Sequence, residues 1–155
     1  MSIIELGALG EFLGSIGVIA TLIYLAIQVR QTQRAVNANT YQALSDTSVS
    51  LFALSASTDG IAHAMTKLAD EEQLDPIETY RAQNLYRATL RNVENWHYQW
   101  EQGLLPGDKI EALAGAMTGW PAMGIWWEEE KPKLRPSFVA WVESKVVSSV
   151  AANAP

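Results

Sequence analysis

Residues 12–29 read FLGSIGVIATLIYLAIQV, a run of 18 residues without a formal charge. As a helix, this run would be roughly 27 Å long, close to the thickness of about 30 Å of the hydrocarbon core of a bilayer. Glu5 and Glu11 precede the run, and Arg30 and Arg34 follow it. The run therefore predicts an N-terminal transmembrane helix, and a buried helix of a soluble bundle is the alternative that its modest length leaves open.

The residues on either side of the run predict how it is oriented. A cleavable signal peptide would need a basic start and a small-residue cleavage site, whereas here the start is acidic and the run ends in Gln28, Val29 and Arg30. Basic residues collect on the cytoplasmic side of a span. We therefore expect a single-pass protein of the bacterial inner membrane, with its N-terminus outside, its helical domain in the cytoplasm, and Arg30 and Arg34 at the lipid interface.

Small and polar residues recur along one side of this predicted helix, at alternating spacings of three and four. Such a stripe lets two membrane helices approach closely, and its polar members can hydrogen-bond across the contact. We call it the glycine seam and expect it to form a homo-oligomer; a partner helix in a larger membrane complex is the alternative. The seam consists of Gly7, Gly10, Gly14, Gly17, Thr21, Tyr24, Gln28 and Gln31.

Composition excludes several classes of function. The chain of 155 residues contains no cysteine, which rules out disulfides, thiolate metal sites and cysteine nucleophiles. All 11 basic residues and 15 of the 17 acidic residues lie beyond residue 29, so that part carries a net charge of −4. Nucleic-acid binding needs a basic surface and is not expected. The expected partners are the chain itself, membrane lipids and, in the alternative, other membrane proteins.

The remainder of the chain predicts helices and no strands. Asp75, Pro76 and Glu78 have the spacing of a capping box, and the helix starting there is expected to end before Gly103. Further helices are expected at 61–69, 109–118 and 137–150, with a short one carrying Trp126 and Trp127. The sequence predicts an all-α fold with a membrane anchor at 1–31, a juxtamembrane helix at 32–57, continuous with the anchor unless residues 37–40 break it, and a helical domain at 58–155.

Residues that could carry out chemistry are few. Glu94 and His97 form half of the paired motif of a di-iron site, and His97 could also bind a pigment, but packing of His97 in the core is the simpler interpretation. No serine nucleophile motif or phosphate-binding loop is present. The chain is therefore not expected to be an enzyme or to need a cofactor. Trp126 and Trp127 are candidates for the lipid interface, although burial of such large aromatic rings in a small core is the simpler interpretation.

Three blocks of sequence resemble a known group of proteins. They are GALGEFLGSIGVIATLIYLAIQVRQ, ENWHYQWEQGLLP and WWEEEKPKLRPSFVAWVESKV, which are distributed between residues 7 and 146. They resemble a family of small uncharacterised bacterial proteins that have an N-terminal transmembrane helix and a helical, aromatic-rich remainder. The resemblance implies a membrane-anchored helical protein and brings no activity, substrate or catalytic residue with it.

Overall fold

A computed structural model describes residues 3–118 and 120–152 of the chain, except for the side chains of residues 5, 118, 121 and 146–152. These residues form six α-helices and a short 3₁₀ turn, and they contain no strand. The predicted all-α fold is therefore confirmed. The helices are α1 (Ile3–Ser57), α2 (Asp59–Ala69), α3 (Pro76–Glu101), α4 (Gly107–Thr118), α5 (Pro121–Glu130) and α6 (Pro136–Ala152), with the 3₁₀ turn at Lys131–Lys133 before α6.

Helix α1 contains the apolar run that dominates the sequence. It continues without interruption through residues 37–40, where the polar side chains left a break possible. By length and composition it is apolar enough to cross a membrane, with an 18-residue window whose mean hydropathy is 2.1. None of that window is buried against another described part of the chain.

The chain divides into two compact units, which we call the first unit, Met1–Asn39, and the second unit, Thr40–Pro155. The second unit therefore starts within α1, before residue 58, where the sequence places the start of the helical domain. Contacts made late in α1 explain the difference. Leu44 is only 4% exposed and packs with Trp96, Leu105 and Ile110, and the Tyr41 ring meets the Trp96 ring edge-on at 5.7 Å.

Helix α3 begins at the predicted capping box. The Asp75 carboxylate accepts hydrogen bonds from the backbone N–H groups of Ile77 at 2.7 Å and Glu78 at 2.8 Å. The Glu78 carboxylate in turn accepts one from the backbone N–H of Asp75 at 2.9 Å. It also accepts one from the Lys67 ammonium at 2.8 Å, which lowers the pKa of Glu78 and joins α2 to α3. The sequence thus predicts this helix start correctly.

Helix α3 ends in a Schellman motif, as the glycine after it indicates. Gly103 has a φ of +72°, a left-handed conformation that an L side chain resists. Its N–H donates to the Trp100 carbonyl at 2.9 Å, and the N–H of Leu104 donates to the Gln99 carbonyl at 3.0 Å. The glycine therefore turns the chain sharply towards α4.

The main core of the second unit is built around Tyr86, which is fully buried. The Tyr86 ring contacts the rings of Trp120 at 5.2 Å and Trp126 at 5.7 Å, and its hydroxyl donates to the Met123 sulfur at 3.3 Å. Trp126 and Trp127 are 7% and 9% exposed and belong to this core. Their assignment to the lipid interface is therefore corrected. Trp126 packs on Tyr86 of α3 and Trp127 joins the same core, because burying such large apolar rings gives more stability than leaving them in water.

Candidate functional site

The glycine seam lies on one exposed face of α1. All eight of its residues are exposed, and a Cβ atom built on any of its four glycines would meet no atom within 4 Å. Thr21 donates its hydroxyl hydrogen bond to the Gly17 carbonyl at 2.8 Å, and the Gln28 amide donates to the Tyr24 hydroxyl at 3.2 Å. Open space above the glycines allows a second helix to come close to this backbone.

The two arginines that follow the apolar run, Arg30 and Arg34, are exposed as well. Neither forms an ion pair with a described residue. Guanidinium groups in this position are free to meet water or the phosphate groups of lipids. Their place directly after the apolar run is the one expected for residues at the boundary of a span.

Glu94 and His97, the residues of the possible metal site, are adjacent on α3 but are engaged with other groups. The Glu94 carboxylate accepts hydrogen bonds from the Arg91 guanidinium at 2.8 Å and from the backbone N–H of Arg135 at 2.6 Å. Both carboxylate oxygens are therefore engaged, one with Arg91 within α3 and the other with the backbone that leads into α6. Among the described residues, no group of three or more histidine, aspartate or glutamate side chains is placed to hold a metal ion.

His97 is enclosed by aromatic rings and is 2% exposed. Its ring lies 5.4 Å from that of Trp100, 5.6 Å from that of Phe138 and 5.0 Å from that of Trp141. Its Nδ1 has no hydrogen-bond partner among the described residues and lies 3.8 Å from the Glu101 carboxylate. Burial lowers the pKa of His97, so the imidazole is neutral at pH 7. This arrangement is that of a core histidine.

A buried carboxylate connects α3 with the segment that follows α5. Glu130 is 5% exposed and accepts hydrogen bonds from Arg87 at 2.7 Å and Lys133 at 2.9 Å. Burial raises the pKa of Glu130, but the hydrogen bonds from Lys133 and Arg87 outweigh this effect and hold the pKa below its usual value. The cluster is fully paired, so it stabilises the packing of these segments and offers no free group for chemistry.

The second unit also contains a cavity, which we call the α1–α4 cavity because α1, α2, α3 and α4 all line it. Its volume is about 410 Å³, within the range of small-molecule pockets in proteins. Trp120 closes one side of it. Most of its wall is apolar, formed by Leu51, Phe52, Leu85, Val93, Leu113 and Met117.

No sequence signal pointed to this cavity. Its lining residues are separated by up to 72 positions, from Ser48 to Trp120, and all but Trp120 lie on helices whose sequence patterns give no sign of a cavity. A cavity results from the way several helices fail to fill the space between them, which a pattern on one helix does not reveal.

Searches with this chain find no matching protein family, no matching curated protein and no matching solved structure. The resemblance of the three aromatic and apolar blocks to a bacterial family therefore stays a prediction. What the chain does has to be inferred from its own residues.

Proposed function

We propose that this chain is a membrane-anchored structural or interaction protein that self-associates through the glycine seam. The observation that carries the proposal is the exposure of the apolar window of α1, of which no part is buried by the described chain. An exposed apolar surface of this size is costly in water and marks a contact with lipid or with another protein. Lipid covers most of the window in this proposal, and a second copy covers the seam.

The exposure also weighs against the other interpretations of the run. The core helix of a soluble protein is buried by its neighbours, whereas the side chains of Ile16, Leu22 and Ile23 are 49%, 60% and 57% exposed. A cleavable signal peptide is disfavoured by the acidic start of the chain and by the residues that end the run. A permanent span accounts for both features.

The orientation of the span follows from the charges that flank it. Arg30 and Arg34 come after the run, and no basic residue comes before it. In the proposed arrangement, the N-terminus therefore lies outside the cytoplasm and the second unit lies within it, in the inner membrane of a bacterium.

Gly14→Leu tests the seam. Because no atom lies within 4 Å of a Cβ at this position, the new side chain leaves α1 undisturbed and only blocks the approach of a second helix. Ala26→Leu is the matched control, since Ala26 is also exposed but lies on the opposite face of the helix. We expect light scattering in mild detergent to give a multiple of 17.1 kDa for the wild type and the control, and 17.1 kDa for Gly14→Leu.

If the particle mass of Gly14→Leu were the same as that of the wild type, self-association through the glycine seam would be refuted. A wild-type particle that contains other chains in fixed ratio after purification from its native membrane would replace self-association by the alternative, in which the chain is an accessory subunit of a larger complex.

A further inference from the structure

We propose that the α1–α4 cavity binds an uncharged small molecule with an extended alkyl chain. The inference concerns the second unit alone and does not depend on α1 crossing a membrane, because every lining residue lies between Ser48 and Trp120. The volume of about 410 Å³, the chemistry of the walls and their extent each restrict the class of ligand.

The walls of the cavity select against charge. None of its described lining residues is an aspartate, glutamate, lysine or arginine. The polar side chains that reach it have already donated their protons within the fold: the hydroxyl of Thr89 to the Leu85 carbonyl at 2.9 Å, and that of Ser55 to the Phe52 carbonyl at 2.8 Å. An ion entering the cavity would lose its hydration and find no donor or counter-ion to replace it.

Ser48 and Asn92 are hydrogen-bonded to each other, whereas the Oδ1 of Asn92 is buried and has no hydrogen-bond partner among the described residues. The Ser48 hydroxyl donates to the Leu44 carbonyl at 3.0 Å and accepts from the Asn92 amide at 2.8 Å. This pair joins α1 to α3 at one end of the cavity. Apart from the Asn92 Oδ1 and the Trp120 indole, the remaining wall is hydrocarbon and sulfur, so most of an enclosed ligand has to be apolar.

The length of the cavity walls favours a ligand with an extended alkyl chain over a compact ligand. Lining residues run from Ser48 to Ala56 on α1 and from Leu85 to Val93 on α3. Each of these segments contains nine residues and extends over about 12 Å along a helix. Met65 and Met117 add two flexible, polarisable side chains that adapt to an irregular apolar ligand.

The cavity opens at Phe52, which lines it and is 71% exposed. An uncharged polar end of the ligand can stay hydrated at this opening while its alkyl chain fills the space between α1 and α4. Filling this space would add contacts between helices that otherwise meet mainly at Leu44 and Ser48, so binding should also raise the melting temperature.

The test uses 11-bromoundecanol, whose bromine quenches tryptophan fluorescence on contact, with the full chain held in lipid nanodiscs because alkyl detergents would compete. We expect saturable quenching and a higher melting temperature. The acid 11-bromoundecanoate should bind at least about tenfold more weakly, a difference of about 1.4 kcal/mol. Trp120→Phe should lose most of the quenching but keep the rise in melting temperature, which would locate the bromine beside Trp120.

Variants that fill the cavity complete the test. Ala116→Leu on α4 and Ala56→Leu on α1 place new side chains in it from opposite walls, and both positions are exposed enough to fold normally. Ala112→Leu, at an exposed position of α4 that does not line the cavity, is the matched control. We expect both filling variants to bind at least about tenfold more weakly and the control to bind as the wild type does.

Quenching that rises linearly without saturation, or equally in Ala116→Leu and Ala112→Leu, would show partition into the bilayer and overturn the proposal. Gly14→Leu should bind as the wild type does. A failure of the seam and a failure of the cavity are therefore distinguished by separate variants.

Discussion

His97 shows how one residue can make the second unit sensitive to acid. Burial among three aromatic rings lowers its pKa in the folded chain, and the nearby charges of Glu101, Arg135 and Glu94 modify this effect. Unfolding exposes the imidazole and returns its pKa to about 6.5. Below that pH the unfolded chain binds the additional proton, so stability is fully present above pH 6.5 and is lost as the pH falls through the lowered folded value.

His97→Phe removes this titration and keeps a ring of suitable size in an apolar site. We expect the wild type to lose stability between pH 7.5 and 5.5, by at most about 1.4 kcal/mol per pH unit, and His97→Phe to lose much less. Thermal unfolding followed by tryptophan fluorescence at the two pH values measures the difference. Equal losses in both proteins would assign the acid sensitivity to other groups.

The sequence predicts the surroundings of some residues well and those of others poorly. His97 lies on the apolar stripe of α3, and this periodicity was enough to predict its burial. Trp126 and Trp127 lie beside three glutamates and three basic residues, a composition that equally suits a membrane interface. Their burial depends on Tyr86, 40 positions away, and on the pairing of Glu130 with Arg87, neither of which a local pattern contains.

At the level of elements, two glycines give opposite predictions for the same substitution. Gly103 has a left-handed φ, so Gly103→Ala should destabilise the second unit by about 1–2 kcal/mol, although no atom crowds the new methyl group. Gly124 is inside α5 with open space around it, so Gly124→Ala should stabilise by roughly 0.5–1 kcal/mol. Urea unfolding midpoints measure both. If Gly103→Ala and Gly124→Ala changed the free energy of unfolding in the same direction, the assigned backbone conformations would be contradicted.

Helix boundaries are the features that local chemistry determines most directly. Asp75, Glu78 and Gly103 fix both ends of α3 through hydrogen bonds with neighbouring backbone groups, and Pro76 contributes a φ that already suits the first turn, so the sequence predicts both ends. The start of the second unit at residue 40 is different. It depends on Leu44 and Tyr41 meeting Trp96, more than 50 residues later, whereas the polar residues 37–40 indicated only a possible break in the helix, which α1 does not have.

For the molecule as a whole, the two units present different kinds of apolar surface. The first unit exposes a long apolar helix, which composition alone predicts. The second unit encloses a cavity that requires four helices and Trp120 to be in place. A helix long and apolar enough to cross a membrane was therefore foreseeable from the sequence, whereas the proposed ligand site could be inferred only from the folded chain.

The central claim is that the apolar part of α1 crosses a membrane, and the absence of cysteine allows a direct test. Single cysteines at Ile3, Ile19 and Gln73, all exposed positions, are treated with a membrane-impermeant maleimide in bacterial spheroplasts that express the chain. We expect Ile3→Cys to react in intact spheroplasts, Gln73→Cys to react only after lysis, and Ile19→Cys to react only in detergent.

If Gln73→Cys reacted in intact spheroplasts and Ile3→Cys reacted only after lysis, the proposed orientation would be reversed, but the span itself would stand. The span would be contradicted if Ile19→Cys reacted as readily as Gln73→Cys after lysis without detergent and the chain were found in the soluble fraction.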